Sequence, residues 1–384
     1  MTALGPVVLY GRPGVHELEL SDGRVSAIRA SEAAAGRLAL PAFADLHVHA
    51  DRAYAHGPRP PRSLADAIEL VREIKERSTE ALVHERASRL LGRALAHGSL
   101  RVRTHVDVDE IVEERALHGV LAARADFAGR VDLEIVAFAT AYCDPATADG
   151  RRRLARAVEA GADLLGAVPA FYRDPGASIG SVLELARSLG VGVDLHLDET
   201  TDPSGSLLER LAEAVLAHGL EGRVTAGHCC ALASLPPEAA RRTIERVATA
   251  GITVIALPAL NLYLEDRGVG TPRLRGLTLV RELAAAGVPV RFASDNVGDV
   301  FYPYGDADPL EAAFLAAIGA HVDDEDVLLA GICGGRAGIA EGDAADLVLV
   351  DAASFREAVA RRPGGRTVVR AGAVVSEPTT GGAA

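Results

Sequence analysis

The sequence predicts an α/β protein, a (β/α)8 barrel accompanied by a small β-sandwich domain built from both chain termini. Short apolar runs recur through the middle of the chain, and each is followed by a longer segment with helical spacing. A doubly wound open sheet is the alternative, but no predicted strand runs into a G-x-G-x-x-G or Walker loop. The predicted barrel strands are residues 42–48, 100–108, 131–138, 163–168, 192–197, 223–226, 253–256 and 288–292.

The two chain ends show a different pattern, in which β-type runs alternate with turn signals. Residues 6–10, 16–20 and 25–29 are separated by Gly-Arg-Pro-Gly and Ser-Asp-Gly-Arg. Near the C-terminus, residues 345–350 form a strand of the buried type, and residues 367–369 and 373–375 flank a turn. The sequence therefore predicts a β-sandwich domain of residues 1–41 and 340–384 around a barrel of residues 42–339.

Composition excludes several classes of protein. A chain of 384 residues with 49% hydrophobic and 24% charged residues is not disordered. Its net charge of −13 gives no attraction to phosphate backbones, so we expect no nucleic-acid partner. Four cysteines do not form a disulfide framework. With no signal-peptide pattern and no apolar stretch of roughly 18–20 residues, we expect a soluble, cytoplasmic protein without a membrane partner.

Histidines and an aspartate stand at the ends of four predicted strands. His47 and His49 end the first strand, and their i, i+2 spacing points both imidazoles to one side, where they can reach one metal ion. His196, His228 and Asp295 end the fifth, sixth and eighth strands. Each alone is typical of a structural residue, but all share the barrel face where active sites are built. Imidazole and carboxylate ligands suit Zn²⁺ or Fe²⁺.

Glu199 follows His196 by three residues, in the pattern His-x-x-Glu. A carboxylate in this place can lie beside a metal-bound water and carry protons. A capping or loop carboxylate is the alternative interpretation.

The order H-x-H, H-x-x-E, H and D resembles the amidohydrolase superfamily, and specifically its cytosine-deaminase-like branch. The segments that carry the resemblance include PAFADLHVHAD, VDLHLDE, RVTAGH and FASDNVGDVFYPYGDADPL, and together they span nearly the whole chain. The resemblance implies a hydrolase that acts on non-peptide C–N bonds, as a cyclic amidine deaminase or amidohydrolase. It also implies assembly into a homo-oligomer.

The resemblance assigns roles to the residues at the strand ends. It implies that one divalent metal ion is bound by His47, His49, His196 and Asp295. Glu199 would protonate the ring nitrogen or leaving group, and His228 would orient the hydroxide and polarise the substrate. Asp295 would in addition take the proton of the water.

The lysine content bears on the number of metal ions. Binuclear members of the superfamily bridge two metals with a carbamylated lysine at the end of strand four, and residues 162–169 contain no lysine. The only lysine, Lys75, precedes the second strand in a Glu-rich helical stretch. The sequence therefore predicts a mononuclear site, with zinc and iron both open.

Two positions argue against cytosine as the substrate. Thr140 stands where cytosine deaminases carry a glutamine, and Asn296 stands where they carry a second aspartate. An amide both donates and accepts hydrogen bonds, whereas a carboxylate only accepts. We therefore expect a metal-bound hydroxide to deaminate a small nitrogen heterocycle that is cytosine-like but not cytosine itself. Hydrolysis of a cyclic amide or of an N-alkylamino-substituted heterocycle is the alternative, and an inactive ligand-binding barrel is the third possibility.

The loop after Asp295 holds an aromatic cluster, Phe-Tyr-Pro-Tyr at residues 301–304. It could stack against a flat ring or simply pack as a rigid loop. Cys229 and Cys230 directly follow His228, as buried packing residues or in a metal role. The candidate substrate contacts are Asp51, Thr140, Phe171, Asn296, Asp299, Tyr302 and Tyr304.

Overall fold

The computed structural model describes residues 2–267 and 274–378. Both chain ends contribute to one mixed sheet of seven strands. Its strands are β1 (Thr2–Leu9), β2 (Arg12–Ser21), β3 (Arg24–Ser31), β4 (Arg37–Pro41), β13 (Leu347–Val350), β14 (Thr367–Arg370) and β15 (Ala373–Ser376). Their spatial order is β15-β14-β13-β4-β1-β2-β3.

Strand alternation gives this sheet two apolar faces. In β4, Leu38 and Leu40 pack into the barrel core, while Ala39 points to a separate cluster with Leu347 and Leu349. Successive side chains of a strand point to opposite faces, so one sheet has its own core and also covers the barrel. The limits predicted for the two domains stay a prediction.

Eight parallel strands form the second sheet, each paired with its neighbours in chain order. They are β5 (Phe43–Val48), β6 (Ser99–Val108), β7 (Asp132–Ala139), β8 (Leu164–Ala167), β9 (Gly192–Leu197), β10 (Val224–His228), β11 (Thr253–Ala256) and β12 (Val290–Phe292). Most of their residues are buried, as expected for parallel strands covered by helices. The predicted α/β barrel with a terminal β domain is therefore confirmed.

The barrel closes between its first and last strands. Val48 bridges to Asp295 in parallel, and the Asp295 N–H donates to the His47 carbonyl oxygen at 2.8 Å. The Ser294 N–H donates to Oδ1 of Asp45 at 3.0 Å. The closing contacts thus lie directly at two of the predicted metal ligands.

Helices alternate with the strands and surround the barrel. They are α1 (Leu64–Arg77), α2 (Glu80–Ala96), α3 (Arg115–Asp126), α4 (Ala148–Ala160), α5 (Pro175–Leu189), α6 (Leu208–His218), α7 (Pro237–Thr249), α8 (Pro258–Leu264), α9 (Val280–Ala285), α10 (Pro309–Gly319), α11 (Glu325–Ile332) and α12 (Phe355–Arg361). Among the helices within the described ranges, none has the length and apolar character needed to cross a membrane.

Helix α1 lies over the mouth of the barrel. It begins after Ser63, whose side chain accepts the Asp66 N–H as an N-cap. Its apolar face, including Leu70 and Val71, packs in one cluster with Leu260 of α8 and Phe301. This packing brings α1 to the face that carries the strand-end histidines.

Candidate active site

Four of the predicted ligands converge at the end of the barrel. Nε2 of His196 lies 3.2 Å from Nε2 of His47 and 3.0 Å from Nε2 of His49. Oδ1 of Asp295 lies 3.4 Å from Nε2 of His49 and 3.9 Å from Nε2 of His47. All four side chains are buried, and one ligand atom of each lies within 4.8 Å of the other three. The sequence-predicted ligand set is thus assembled in space.

The chemistry of this cluster fits a divalent metal ion. Neither carboxylate oxygen of Asp295 has a hydrogen-bond partner among the described residues. An unpaired buried carboxylate is costly, and a cation within reach of three imidazoles removes that cost. Burial lowers the pKa of His47, His49 and His196 well below the usual histidine value, which keeps them in the neutral form that binds metal. Zinc and iron both suit this donor set.

A glycine makes room for one of the ligands. A Cβ at Gly227 would lie 2.7 Å from Cε1 and 3.0 Å from Nδ1 of His47. Only a residue without a side chain lets the two strands place His47 and His228 side by side. The sequence alone does not reveal this position, because its role depends on His47 in a strand that is distant in sequence and is not paired with β10.

Replacing Gly227 with Ala should lower metal affinity about 10- to 100-fold, by analogy with other changes that reorient a metal ligand. The added methyl group displaces the His47 imidazole from its present position. Titration against a competing chelator measures the affinity. Gly180→Ala in α5 is the control, since its Cβ would meet nothing within 4 Å. A Gly227→Ala variant that binds metal like the wild type would contradict the role of Gly227.

His228 is held in an unusual backbone conformation. His228, Cys229 and Asp295 have φ values of 67°, 54° and 60°, in the left-handed region that non-glycine residues rarely adopt. The turn is fixed by the Cys229 N–H, which donates to the Leu197 carbonyl oxygen at 2.9 Å. Such strain costs about 1–3 kcal/mol per residue and is concentrated at functional sites.

Asn261 of α8 determines which nitrogen of His228 carries the proton. Its Nδ2 lies 3.2 Å from Nδ1 of His228, so the amide donates there and the imidazole proton resides on Nε2. Nε2 lies 3.7 Å from Oε2 of Glu199 and 3.9 Å from Oδ2 of Asp295. Burial lowers the pKa of His228 to about 3, so the ring is neutral. His228 is therefore a neutral hydrogen-bond donor directed at the cluster.

Glu199 follows β9 and lies in the wall of the same cavity. Burial raises the pKa of its carboxyl group well above the usual glutamate value, and the nearby Glu265 and Asp295 raise it further. A carboxyl group whose pKa is raised in this way favours its protonated form and can act as a general acid.

The cavity in front of the cluster has mostly apolar and aromatic walls. The aromatic residues that line it are Phe138, Tyr142, Phe171 and Phe301. Three of the candidate substrate contacts also line it: Thr140, Phe171 and Asn296.

The other candidate contacts, Asp51, Asp299, Tyr302 and Tyr304, lie outside the cavity wall. Asp51 accepts the Asp107 N–H, and Asp299 accepts the N–H groups of Phe301 and Tyr302. The Tyr302 hydroxyl donates to Glu311, and Tyr304 is 73% exposed. Of the aromatic cluster after Asp295, only Phe301 lines the cavity. A substrate contact by any of these four residues stays a prediction that the cavity wall does not support.

Cys229 and Cys230 are buried, and neither belongs to a possible metal-binding group within residues 2–267 and 274–378. His105 stacks on His47 with ring centroids 4.0 Å apart. Its Nε2 lies 3.3 Å from Oδ1 of Asp194. His105 and Asp194 lie in the barrel interior and support the metal ligand His47.

Comparison with known proteins agrees with this geometry. A profile described as the amidohydrolase family matches residues 134–376. A pterin deaminase of Rhizobium rhizogenes strain K84 is 38% identical over 354 residues, which cover 87% of this chain and 80% of that protein.

Two solved structures have the same fold. The 5-methylcytosine deaminase of Klebsiella pneumoniae superposes with a TM-score of 0.91 at 30% identity, covering 100% of this chain and 99% of the other. The N-isopropylammelide isopropylaminohydrolase of Burkholderia multivorans superposes with a TM-score of 0.83 at 29% identity, covering 98% and 99% of the two chains. The family resemblance inferred from the sequence is confirmed, and this chain belongs to the amidohydrolase family.

Proposed function

We propose that this protein is a metal-dependent hydrolase that releases ammonia from a 2-amino-4-oxopteridine, a ring of the pterin class. The chemistry is carried by one observation, the convergence of His47, His49, His196 and Asp295 beside Glu199 and His228. The choice of ring is supported by the 38% identity to a pterin deaminase. We also propose one metal ion per chain. A cytoplasmic location and a homo-oligomer stay predictions.

Water is added to the ring carbon that carries the amino group, and ammonia leaves. His47, His49, His196 and Asp295 would hold a divalent metal ion, which would supply a water with a pKa lowered toward about 7. Asp295 has an unpartnered carboxylate oxygen on the side of His228, and it accepts the proton of the attacking water. The Nε2–H of His228 donates to the oxygen of the attacking water and directs it at the ring carbon.

Glu199 completes the proton transfers. Its raised pKa leaves a proton on the carboxyl group, which it gives to the ring nitrogen beside the attacked carbon. Glu199 is then ionised, so it takes up the proton held by Asp295 and gives it to the departing amine, which leaves as ammonia. The hydroxyl group on the attacked carbon loses its proton to Glu199 and becomes the oxo group, and both carboxyl groups return to their starting states. The products are ammonia and the corresponding oxo ring.

Two polar residues are suited to recognise the amino-bearing edge of the ring. The Thr140 hydroxyl donates to Asp109 at 2.7 Å and accepts the Tyr142 N–H at 3.3 Å, which leaves one oxygen lone pair to accept from a substrate N–H. The Asn296 Nδ2 donates to Asp299 at 2.6 Å, which leaves its carbonyl oxygen to accept from an amino group. These positions thereby favour a ring edge that is rich in N–H donors.

Ammonia release from a panel of rings tests the proposal. Metal-loaded protein should deaminate 2-amino-4-oxopteridine with a kcat/KM at least about 100-fold above that for cytosine, the discrimination that a few mismatched hydrogen bonds provide. Absence of ammonia from the pteridine, at full metal content, would contradict it. Release of isopropylamine from N-isopropylammelide is the second candidate activity, favoured by the ammelide-hydrolysing relative of similar structure. The identity of the released amine separates the two.

Replacing Asn261 with Asp should lower kcat about 100-fold, within the range for loss of an oriented proton donor. An Asp carboxylate accepts from Nδ1–H, so it moves the imidazole proton of His228 away from the substrate. Asn261→Leu removes the contact without favouring the wrong tautomer and should cost less. Steady-state kinetics and metal analysis of both variants check this, and an Asn261→Asp variant with wild-type kcat would refute the role of Asn261.

A further inference from the structure

Lys75 reaches the cavity wall from α1. Its Nζ donates to Oδ2 of Asp109 at 2.6 Å and lies 2.8 Å from Oδ2 of Asp107. The residue is only 7% exposed. Burial alone would lower the pKa of this ammonium group, but the two carboxylates outweigh burial and raise it. Lys75 is therefore a fixed positive charge at the cavity, a place that its position in the sequence did not reveal.

Asp109 is saturated by the protein itself. Its Oδ2 also accepts from Thr140 at 2.7 Å, and its Oδ1 accepts the N–H groups of Ile111 and Val112 at 2.8 and 3.0 Å. A carboxylate has about four acceptor sites, so Asp109 has none left. Its function is to hold Lys75 and Thr140 in place.

Asp107 retains acceptor capacity. Its Oδ1 takes one N–H from Arg52 at 2.9 Å, and its Oδ2 faces Lys75. About two of its four acceptor sites remain, and the residue lines the cavity. The Lys75 ammonium has three donors, of which the two carboxylates use two. A free donor and a free acceptor therefore stand side by side on one wall.

We propose that Lys75 and Asp107 form a subsite that recognises a lactam edge of the substrate ring. The ammonium donates to the ring carbonyl oxygen, and the carboxylate accepts the neighbouring ring N–H. This inference rests on the proposed function, because it names the ring edge recognised in the same cavity. The subsite is built by α1 and β6, whereas the metal ligands come from β5 and the residue after it, from β9 and from the segment after β12. Specificity and chemistry thus reside on different elements.

A purely structural role, in which Lys75 only ties α1 to β6, makes a different prediction. Removing a contact that only holds α1 against β6 would lower kcat/KM by the same factor for every substrate. Loss of a recognition group penalises only the ring that carries the carbonyl, so the informative quantity is a ratio between two rings. Suitable probes are 2-amino-4-oxopteridine and 2-aminopteridine, which lacks the oxo group and the lactam N–H.

The ratio of kcat/KM for these probes is measured on metal-loaded wild type, Lys75→Met and Lys75→Arg. Lys75→Met should lower the oxo-to-deoxo ratio about 10- to 100-fold, the range for a charge-assisted hydrogen bond. Lys75→Arg keeps the positive charge, so it serves as a variant in which the fold is expected to persist. Its planar guanidinium places the donors differently, so it should also lower the oxo-to-deoxo ratio. Arg366→Met is the matched control, because it removes a buried ion pair with Asp308 in another part of the molecule. An equal loss on both probes in the Lys75 variants would overturn the proposal.

A binding measurement separates this inference from the proposed function. Because Lys75 is the only lysine, protein labelled with ¹³C-lysine has one lysine side-chain signal to follow by NMR. A shift of this signal with 2,4-dioxopteridine, but not with unsubstituted pteridine, which has no lactam, supports the subsite even if no ring is deaminated. Equal shifts with both ligands, or none, overturn it. Absence of ammonia release in the same preparation counts against the deaminase proposal alone.

Discussion

Glu199→Gln should lower kcat for ammonia release about 10²- to 10⁴-fold, the usual effect of removing a general acid. The amide has nearly the shape of the carboxylic acid but no proton to give to the ring nitrogen or the departing amine. Glu199 belongs to no metal-ligand group among the described residues, so the variant should bind metal as the wild type does.

The measurement combines steady-state kinetics with metal analysis on the same preparation. Glu213→Gln is the matched control, because Glu213 lies in α6 at the surface and pairs only with Arg246 among the described residues. It should leave kcat unchanged. A Glu199→Gln variant with full metal content and more than about a tenth of wild-type kcat would exclude Glu199 as the proton donor.

Asp295→Ala should abolish stoichiometric metal binding and lower kcat about 10⁴-fold or more, because the metal supplies several kcal/mol to the reaction. The substitution removes the carboxylate of the cluster while leaving the backbone bond from residue 295 to His47 in place. Its fold should therefore persist, which circular dichroism can verify.

A thermal measurement gives this prediction a second readout. Metal stabilises the folded wild type by mass action, so the unfolding midpoint should rise with added zinc. The Asp295→Ala variant should lose this rise, whereas Asp306→Asn, at the Arg93 ion pair, should keep it. Undiminished metal binding by the Asp295→Ala variant would remove Asp295 from the ligand set.

Periodicity explains why the fold and the metal cluster could be predicted. In a parallel barrel every strand ends at the same face, so the residues that end predicted strands are brought together whatever the loops do. His47, His49, His196 and Asp295 are such residues, and the structure assembles them.

The cavity wall could not be predicted in the same way. Lys75 lies on a helix whose amphipathic pattern predicts a helix but not the surface that it covers. Its place at the cavity depends on the packing of α1 against Leu260 and Phe301. Gly227 contacts His47 and Asn261 contacts His228, both on other elements of the fold, which no local pattern reveals. Asn261 is nevertheless a polar residue in the apolar segment PALNLYL, and that contrast was a usable signal.

The barrel closes between β5 and β12, and the metal site lies at this closure. His47 lies in the first barrel strand and His49 directly after it, and Asp295 follows the last strand, 248 positions after His47. A metal ion held by all three would link the first and last strands of the barrel. Among the described residues, these strands are otherwise joined by the β-bridge between Val48 and Asp295 and by the bond from the Asp295 N–H to the His47 carbonyl oxygen. Loss of the ion would therefore weaken the closure of the barrel as well as remove the activated water.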